Sequence, residues 1–369
     1  MGLLRIWLAL FVIGAHMGHP SYLPFLPGDL AVQCFYMVSG FYMALILTEN
    51  REYASKEVFY INRTARIFST YYVILLFVIL CRFNEIRDFK FDFLGIGSLV
   101  LTMFANLFIF GSNLVMFSAN SSGFPGVVFA SNFRDSNPEL NSFLIIPQAW
   151  TLPVELIFYL LVPFIIKRKS FLFIGFTLSV LSRVYTYHVF GNQDPWTYRF
   201  FPNELSVFIL GIFSYQFALK SNLVTKLTNT GRFANKLKLP IAYLVTYSVF
   251  LLYQRIYGFL PEVWKEKELL VQVRPLILSL ILFCTLPILF RLTKQSRFDR
   301  KIGDLSFAIY LSHLGIISIF EAMGLSSNFY LVSFSSIFVA LCLSPFSNQL
   351  ELKIRTGLRK KLKVLEDGL

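Results

Sequence analysis

The sequence contains few cysteines, and their spacing excludes two common kinds of site. Four occur in 369 residues, far apart and in or beside apolar segments: Cys34, Cys81, Cys284 and Cys342. No CxxC pair or metal-ligand spacing is present, so we interpret them as packing residues and predict no metal site. The chain also lacks His-x4-Asp, Gly-x-Ser-x-Gly and phosphate-binding glycine loops. This argues against soluble glycerolipid acyltransferases, serine hydrolases and nucleotide-driven pumps.

Charged residues are also scarce. They make up 15% of the chain, whereas 56% of the residues are hydrophobic and 17% are aromatic, and the mean hydropathy is +0.61. A soluble fold would have to bury long apolar runs such as 269–289 and 330–342, and the polar residues are too few to cover such a core. We therefore predict an integral membrane protein of the all-α class, a polytopic transmembrane helical bundle.

The net charge of +13 does not indicate nucleic-acid binding. Lysine and arginine cluster in the loops 51–66, 220–239 and 291–301 and in the tail, without the interleaved aromatics of a nucleic-acid platform. The positive-inside rule makes these segments cytoplasmic. We predict a transmembrane domain over 1–350 and a basic cytoplasmic tail over 351–369, which either lies on anionic membrane lipid or is solvated.

About eleven apolar runs are candidate membrane segments, at 3–18, 30–48, 67–82, 92–111, 150–166, 171–190, 203–219, 240–254, 269–290, 304–321 and 329–348. The first is interpreted as a retained helix because no cleavage site of a signal peptide follows it. Placing the basic loops inside requires that one run does not cross. The glycine-containing run 92–111 is the weakest, so we predict about ten spans, one re-entrant or interfacial segment and both termini inside. The outer loop 111–149 has the length of a functional or a disordered loop.

The first apolar run contains two ionisable residues. Arg5 and His16 are eleven positions apart, which places them within roughly 20° of one another on a helix and about 16 Å apart along it. Ionisable groups at that depth are costly and usually face an interior cavity, so function is the first interpretation. The alternative is a snorkelling arginine that sets orientation and a packed, hydrogen-bonded histidine.

Five elements together carry a family resemblance. They are the Arg-x10-His pair, "GDLAVQCFYMVSGF" at 28–41, "RTAR" at 63–66, "WTLPVELIFYLLVP" at 150–163 and "LSFAIYLSHLG" at 305–315. Their order and spacing resemble the acyltransferase-3 family of membrane acyltransferases over almost the whole chain. The resemblance implies transfer of an acyl group, most often acetyl, from cytoplasmic acyl-CoA to a glycan hydroxyl. The expected acceptor is a cell-surface polysaccharide, such as an O-antigen or exopolysaccharide, or a lipid-linked glycan at the bacterial inner membrane.

The same resemblance identifies the candidate site residues. The catalytic candidates are Arg5, His16 and Glu155, and the acyl-CoA candidates are Arg63 and Arg66. Candidates for acceptor binding or support are Trp150, Tyr310 and His313. Two positions depart from the family pattern: Gln33 stands where many relatives carry an acidic residue, and Ser69 stands where a proline is common.

The chemistry of these residue types fits the implied reaction. A neutral imidazole at His16 would take the proton of the attacking hydroxyl, or would itself accept the acyl group and pass it on. Arg5 would hold the donor or stabilise charge on the thioester oxygen. Arg63 and Arg66 would bind the phosphates of coenzyme A, although basic loops of this kind also arise from the positive-inside rule alone. Acetyl-CoA is thus expected as a substrate, and no bound cofactor is expected.

The other candidates each have a structural alternative. Glu155 would orient His16, pair with an arginine or bind acceptor hydroxyls, or would form a structural ion pair. Trp150 is also typical of an interfacial aromatic belt. His313 should lie at a depth similar to that of His16 and share its cavity, or else form a helix–helix hydrogen bond.

Two other functions compete with the acyltransferase. A transporter or flippase of lipid-linked saccharide would use buried Arg, His and Glu to line a path, although the sequence shows no internal repeat. A non-catalytic relative acting as an assembly partner would tolerate replacement of every candidate residue.

Overall fold

The computed structural model describes residues 1–18, 25–49, 53, 55–89, 91–220, 237–258 and 268–367. The α-helices in these ranges are α1 Gly2–Met17, α2 Gly28–Glu49, α3 Lys56–Cys81, α4 Phe83–Arg87, α5 Ile96–Phe108, α6 Gly111–Val115, α7 Thr151–Ile165, α8 Lys169–Phe190, α9 Phe201–Lys220, α10 Lys238–Gly258, α11 Glu268–Thr293, α12 Arg297–Ala322 and α13 Phe329–Asp367. Two short antiparallel strands, β1 Ser118–Asn120 and β2 Val127–Phe129, form a hairpin between α6 and α7.

Seven helices in the described part of the chain are long and apolar enough to cross a membrane: α2, α3, α7 with the turn before it, α10, α11, α12 and α13. Helices α1 and α5 are apolar but shorter. Helices α8 and α9 are long but do not belong to the seven. The predicted all-α integral membrane class is confirmed, whereas the count of about ten spans is not.

Helix α5 lies within the run predicted to be re-entrant or interfacial. Its 13 residues extend about 20 Å, less than the roughly 30 Å of a hydrocarbon core. The helix ends at Ile109, whose φ of 61° breaks the helical path before α6. Its first turn is held by the hairpin loop, because Ser98 Oγ donates to the carbonyl of Gly126 at 2.6 Å. The helix therefore has the length expected of a segment that does not cross.

The long loop 111–149 is folded and attached to the helices. One side chain, Asn106 of α5, makes two of the contacts: its amide donates to the carbonyl of Phe143 at 2.9 Å, and its Oδ1 accepts from the N–H of Ile145 at 2.8 Å. The Tyr71 hydroxyl of α3 donates to the carbonyl of Asn106 at 2.7 Å. The loop is thus attached to α5, which is in turn bonded to α3.

The chain divides into two compact units. The first comprises Met1–Thr48 and Phe164–Ser306, and the second comprises Glu49–Pro163 and Phe307–Leu369. Arg5 and His16 belong to the first unit. The other candidate site residues belong to the second.

In the first unit, α2 and α9 cross in backbone contact at two glycines. A Cβ atom on Gly40 would lie 2.0 Å from the carbonyl oxygen of Phe208, and one on Gly211 would lie 2.0 Å from that of Met37. Beside this crossing the rings of Tyr36 and Phe208 stack with centroids 4.7 Å apart. Small residues allow this close approach, as is usual between membrane helices.

Gly211→Ala is expected to lower the melting temperature of the purified protein, because the added methyl group meets backbone that cannot rotate away. The matched control is Gly357→Ala in α13, where a Cβ meets nothing within 4 Å. The control should melt at the wild-type temperature or slightly above it, since alanine is the better helix former by about 1 kcal/mol. Equal melting temperatures for Gly211→Ala and wild type would contradict the packing argument.

Candidate active site

Helix α1 carries both Arg5 and His16, as the sequence predicts. Its first turn is capped by Asp299 of α12, whose carboxylate accepts from the N–H groups of Gly2 and Leu3 at 2.7 and 3.0 Å. The helix ends before Gly18, which has a φ of 73°. His16 lies in the last turn with an exposed side chain, whereas Arg5 is half-buried. The imidazole is therefore accessible at the end of a firmly held helix.

The loop between α8 and α9 contributes a charged group that acts on His16. Arg199 acts electrostatically on His16. The Arg199 guanidinium donates two hydrogen bonds of 2.5 and 2.9 Å to the carboxylate of Asp194. Both side chains are nearly buried. Tyr198 donates from its hydroxyl to the same carboxylate at 3.3 Å, and burial raises the pKa of Tyr198 to about 12. The phenol is therefore a neutral donor at physiological pH.

A second group of charged residues in the first unit includes Asp29 at the start of α2. Asp29 is acted on electrostatically by Arg274 of α11 and by Asp194. The Arg274 guanidinium lies 5.8 Å from the ring centroid of Tyr257, which stacks on Tyr253 with centroids 6.2 Å apart. The Arg274 Nε is buried and has no acceptor among the described residues. Carboxylates, guanidinium groups and aromatic faces are thus brought together in the unit that contains His16.

A buried ion pair holds α8, α9 and α2 together. Arg183 Nη2 lies 2.7 Å from Oε1 of Glu204, a side chain with no exposed surface. Gln33 Nε2 donates to the same oxygen at 3.1 Å. Arg183 also donates to the carbonyls of Thr197 and Asn203, both at 3.1 Å. This network fixes the C-terminal end of the loop that carries Asp194 and Arg199.

No residue of this network was predicted to belong to the site. Gln33 was singled out only as a departure from the family pattern. A signal was present, since Arg183 and Glu204 are ionisable residues in helices that are otherwise largely apolar. The sequence did not indicate that the two would pair.

In the second unit, Glu155 has a partner on its own helix. The Tyr159 hydroxyl, one turn further along α7, donates to Glu155 Oε1. Tyr159 packs edge-on against Phe59 of α3 with ring centroids 6.3 Å apart, and the Tyr60 hydroxyl donates to the carbonyl of Leu160 at 3.0 Å. Glu155 is therefore held on a helix packed against the start of α3.

Arg63 and Arg66 lie in the first turns of α3, which begins at the N-cap Ser55. Both side chains are half-buried. The Arg63 guanidinium lies 5.8 Å from the ring centroid of Tyr53. Ser69, which stands where relatives commonly have proline, is fully buried, and its hydroxyl donates to the carbonyl of Arg66 at 3.3 Å. The helix thus continues without a break past the arginine pair.

His313, Tyr310 and Trp150 are all buried in the second unit. His313 Nδ1 lies 2.6 Å from the carbonyl oxygen of Tyr310, which can only accept, so Nδ1 carries the hydrogen. The Tyr310 hydroxyl donates to the carbonyl of Gln148 at 3.0 Å, and Gln148 Nε2 donates to that of Leu311 at 2.6 Å. The two bonds with Gln148 attach the turn before α7 to α12, whereas the His313 bond lies within α12.

Two predicted arrangements join residues of different units. They are the orientation of His16 by Glu155 and a cavity shared by His16 and His313, and both stay predictions. Within the described residues, no group of three His, Cys, Asp or Glu side chains is arranged to hold a metal ion.

A family model described as "Acyltransferase domain" matches residues 1–346, which include every candidate site residue. The match confirms the resemblance predicted from the five sequence elements. No curated protein and no solved structure matches the chain significantly.

Proposed function

Because the chain belongs to the acyltransferase-3 family, we propose that this membrane acyltransferase is an O-acetyltransferase of the bacterial inner membrane. It moves an acetyl group from cytoplasmic acetyl-CoA to a hydroxyl of a cell-surface polysaccharide or a lipid-linked glycan. Both termini lie in the cytoplasm, as the positive-inside rule predicts.

The accessible His16 imidazole is the observation that carries this proposal. In the proposed step His16 takes the proton of the acceptor hydroxyl while the oxygen of that hydroxyl attacks the thioester carbonyl carbon. The carbon–sulfur bond then breaks, and the departing coenzyme A sulfur receives the proton from His16. Arg5 lies about 16 Å away along α1, which suits an extended donor whose thioester reaches His16 while its remaining length passes Arg5.

Other groups of the unit that contains His16 support a glycan as acceptor. Asp29 and Asp194 carry carboxylate oxygens that can accept from sugar hydroxyls, and Arg199 carries guanidinium donors. The stacked rings of Tyr253 and Tyr257 provide apolar faces of the kind that fix the orientation of a ligand beside a few polar groups.

The start of α3 supports a phosphorylated donor. Arg63 and Arg66 present two guanidinium groups one turn apart, and guanidinium groups bind phosphate oxygens bidentately. The basic residues 167–169 that follow α7 are expected to be cytoplasmic, like the segment where α3 begins, so the two helices run antiparallel. Phe59 of α3 contacts Tyr159 of α7. One turn further along α3 and one turn back along α7, Arg63 and Glu155 should then lie at the same level. An acidic group at this position would balance the arginine charge when the donor leaves.

The test is transfer of label from radioactive acetyl-CoA to the glycan fraction of membranes that contain the protein. Label should enter glycan only when the protein is present, and mild alkali should release it as acetate, because the product is an ester. Membranes of the same host without the protein are the control. Translocation of lipid-linked saccharide without acetyl-CoA, and without label in the glycan, would contradict the proposal and favour the flippase.

A further inference from the structure

Helix α13 changes character along its length without a break. It begins in an apolar, membrane-crossing part and continues as a helix through the basic segment 351–367. Within the second unit it packs along α3, the helix that carries Arg63 and Arg66, in an extensive interface. The basic end of α13 is therefore placed by packing on α3.

One side-chain contact fixes the register of the two helices. Arg359 Nη2 donates to Oδ1 of Asn62 at 2.9 Å. Since Asn62 lies near the start of α3 and Arg359 near the end of α13, an extensive interface requires that the helices run antiparallel. One turn further along α3 corresponds to one turn back along α13, so Arg355 lies level with Arg66.

Several donors at this crossing have no acceptor. Asn62 is 1% exposed, and its Nδ2 is buried without a hydrogen-bond partner among the described residues. The same holds for the Nε atoms of Arg63 and Arg355. Buried donors are nearly always satisfied, so three donors at one crossing indicate a missing acceptor.

The charge at the crossing specifies the kind of acceptor. By this register two arginines of each helix lie at the crossing, and Glu351 pairs with Arg355. A surplus of guanidinium groups, two of which have an Nε without an acceptor among the described residues, fits a ligand with several phosphate oxygens. Coenzyme A phosphates and the headgroup of an anionic lipid share this chemistry. The unused donor of Asn62 is buried beside α13, which favours a soluble ligand that enters from the end of the helices.

We propose that Asn62, Arg355 and Arg359 complete the phosphate-binding site of Arg63 and Arg66, so that the end of α13 forms part of the acyl-CoA donor site. This inference rests on the proposed function, because it assumes that the donor is an acyl-CoA. The ligand is the phosphorylated adenosine diphosphate end of coenzyme A, and its phosphate oxygens accept from the unused donors of both helices.

The test is binding of coenzyme A to the purified full-length protein in phosphatidylcholine nanodiscs. Arg355→Gln and Arg359→Gln should each weaken binding about tenfold, the effect of losing one charge-assisted contact. Lys360→Gln is the matched control, because Lys360 is exposed on the same segment and its replacement removes the same charge. Pantetheine, which lacks the phosphates, should bind wild type and variants equally. Melting temperatures equal to wild type would show that the variants are folded, and Arg359→Lys should bind with intermediate affinity.

Three outcomes would overturn the inference. Wild-type affinity of both glutamine variants would show that α13 takes no part, while the donor proposal would stand. A lower affinity of the glutamine variants for coenzyme A only in nanodiscs that contain phosphatidylglycerol would show that the arginines act on lipid. Failure of wild type to bind coenzyme A in either disc would remove the donor proposal together with this inference.

Discussion

Replacing His16 by alanine is expected to lower acyl transfer by at least about 100-fold, the smaller end of what a positioned general base contributes. The variant loses the group that takes the proton of the acceptor hydroxyl. Its folding should be unaffected, because the imidazole is exposed in the last turn of α1. Arg5 should keep its position, because Asp299 still caps the first turn of the same helix.

The measurement is the initial rate of label transfer in membranes with matched amounts of wild type and variant. The matched control is His188→Ala, because His188 is also exposed in the last turn of a helix, α8, and should keep the wild-type rate. A labelled protein that accumulates without acceptor would identify His16 as a transient acyl carrier and not as a base. Normal transfer by well-expressed His16→Ala would refute both mechanisms.

Placing a carboxylate at position 33 is expected to destabilise the protein by about 3 kcal/mol, the lower end of the cost of an uncompensated buried charge. Gln33→Glu preserves the shape of the side chain but replaces the amide that donates to Glu204 by a second carboxylate. Both side chains are buried, and among the described residues Arg183 is the cation that pairs with Glu204. The loss should appear as a lower melting temperature and a lower yield of folded protein.

A double variant, Gln33→Glu with Glu204→Gln, exchanges the two side chains and tests the same prediction. It restores one carboxylate and one amide beside Arg183, so it should recover at least half of the lost stability. Gln349→Glu, an exposed position on α13, controls for the added charge alone. A wild-type melting temperature for Gln33→Glu would show that the network tolerates two carboxylates.

This network also shows where the sequence stops being informative. Gln33 departs from the acidic residue of many relatives, and the sequence alone presents this as a missing group. Its partner Glu204 lies 171 positions away. Helices that are apolar on all sides give no periodic signal of which neighbour they face, so the pairing of α2 with α9 does not follow from hydropathy.

The sequence was most informative for features contained within one helix. Apolar length identified most of the membrane helices, and the spacing of Arg5 and His16 placed both on α1. The tail shows that composition alone does not predict where a helix ends. Polar residues after 350 indicate a new environment, but the helical hydrogen bonds of α13 continue there because they do not depend on side-chain polarity.

The glycine crossing of α2 and α9 has a consequence for selectivity under the proposed function. Backbone in contact at Gly40 and Gly211 leaves no room for one helix to slide on the other. Arg183, paired with Glu204, then holds the loop whose Arg199 acts electrostatically on His16. We therefore expect a rigid template that discriminates sugars by the shape of its walls, so that a new acceptor would require new side chains on the loop and not a shift of the helices beneath it.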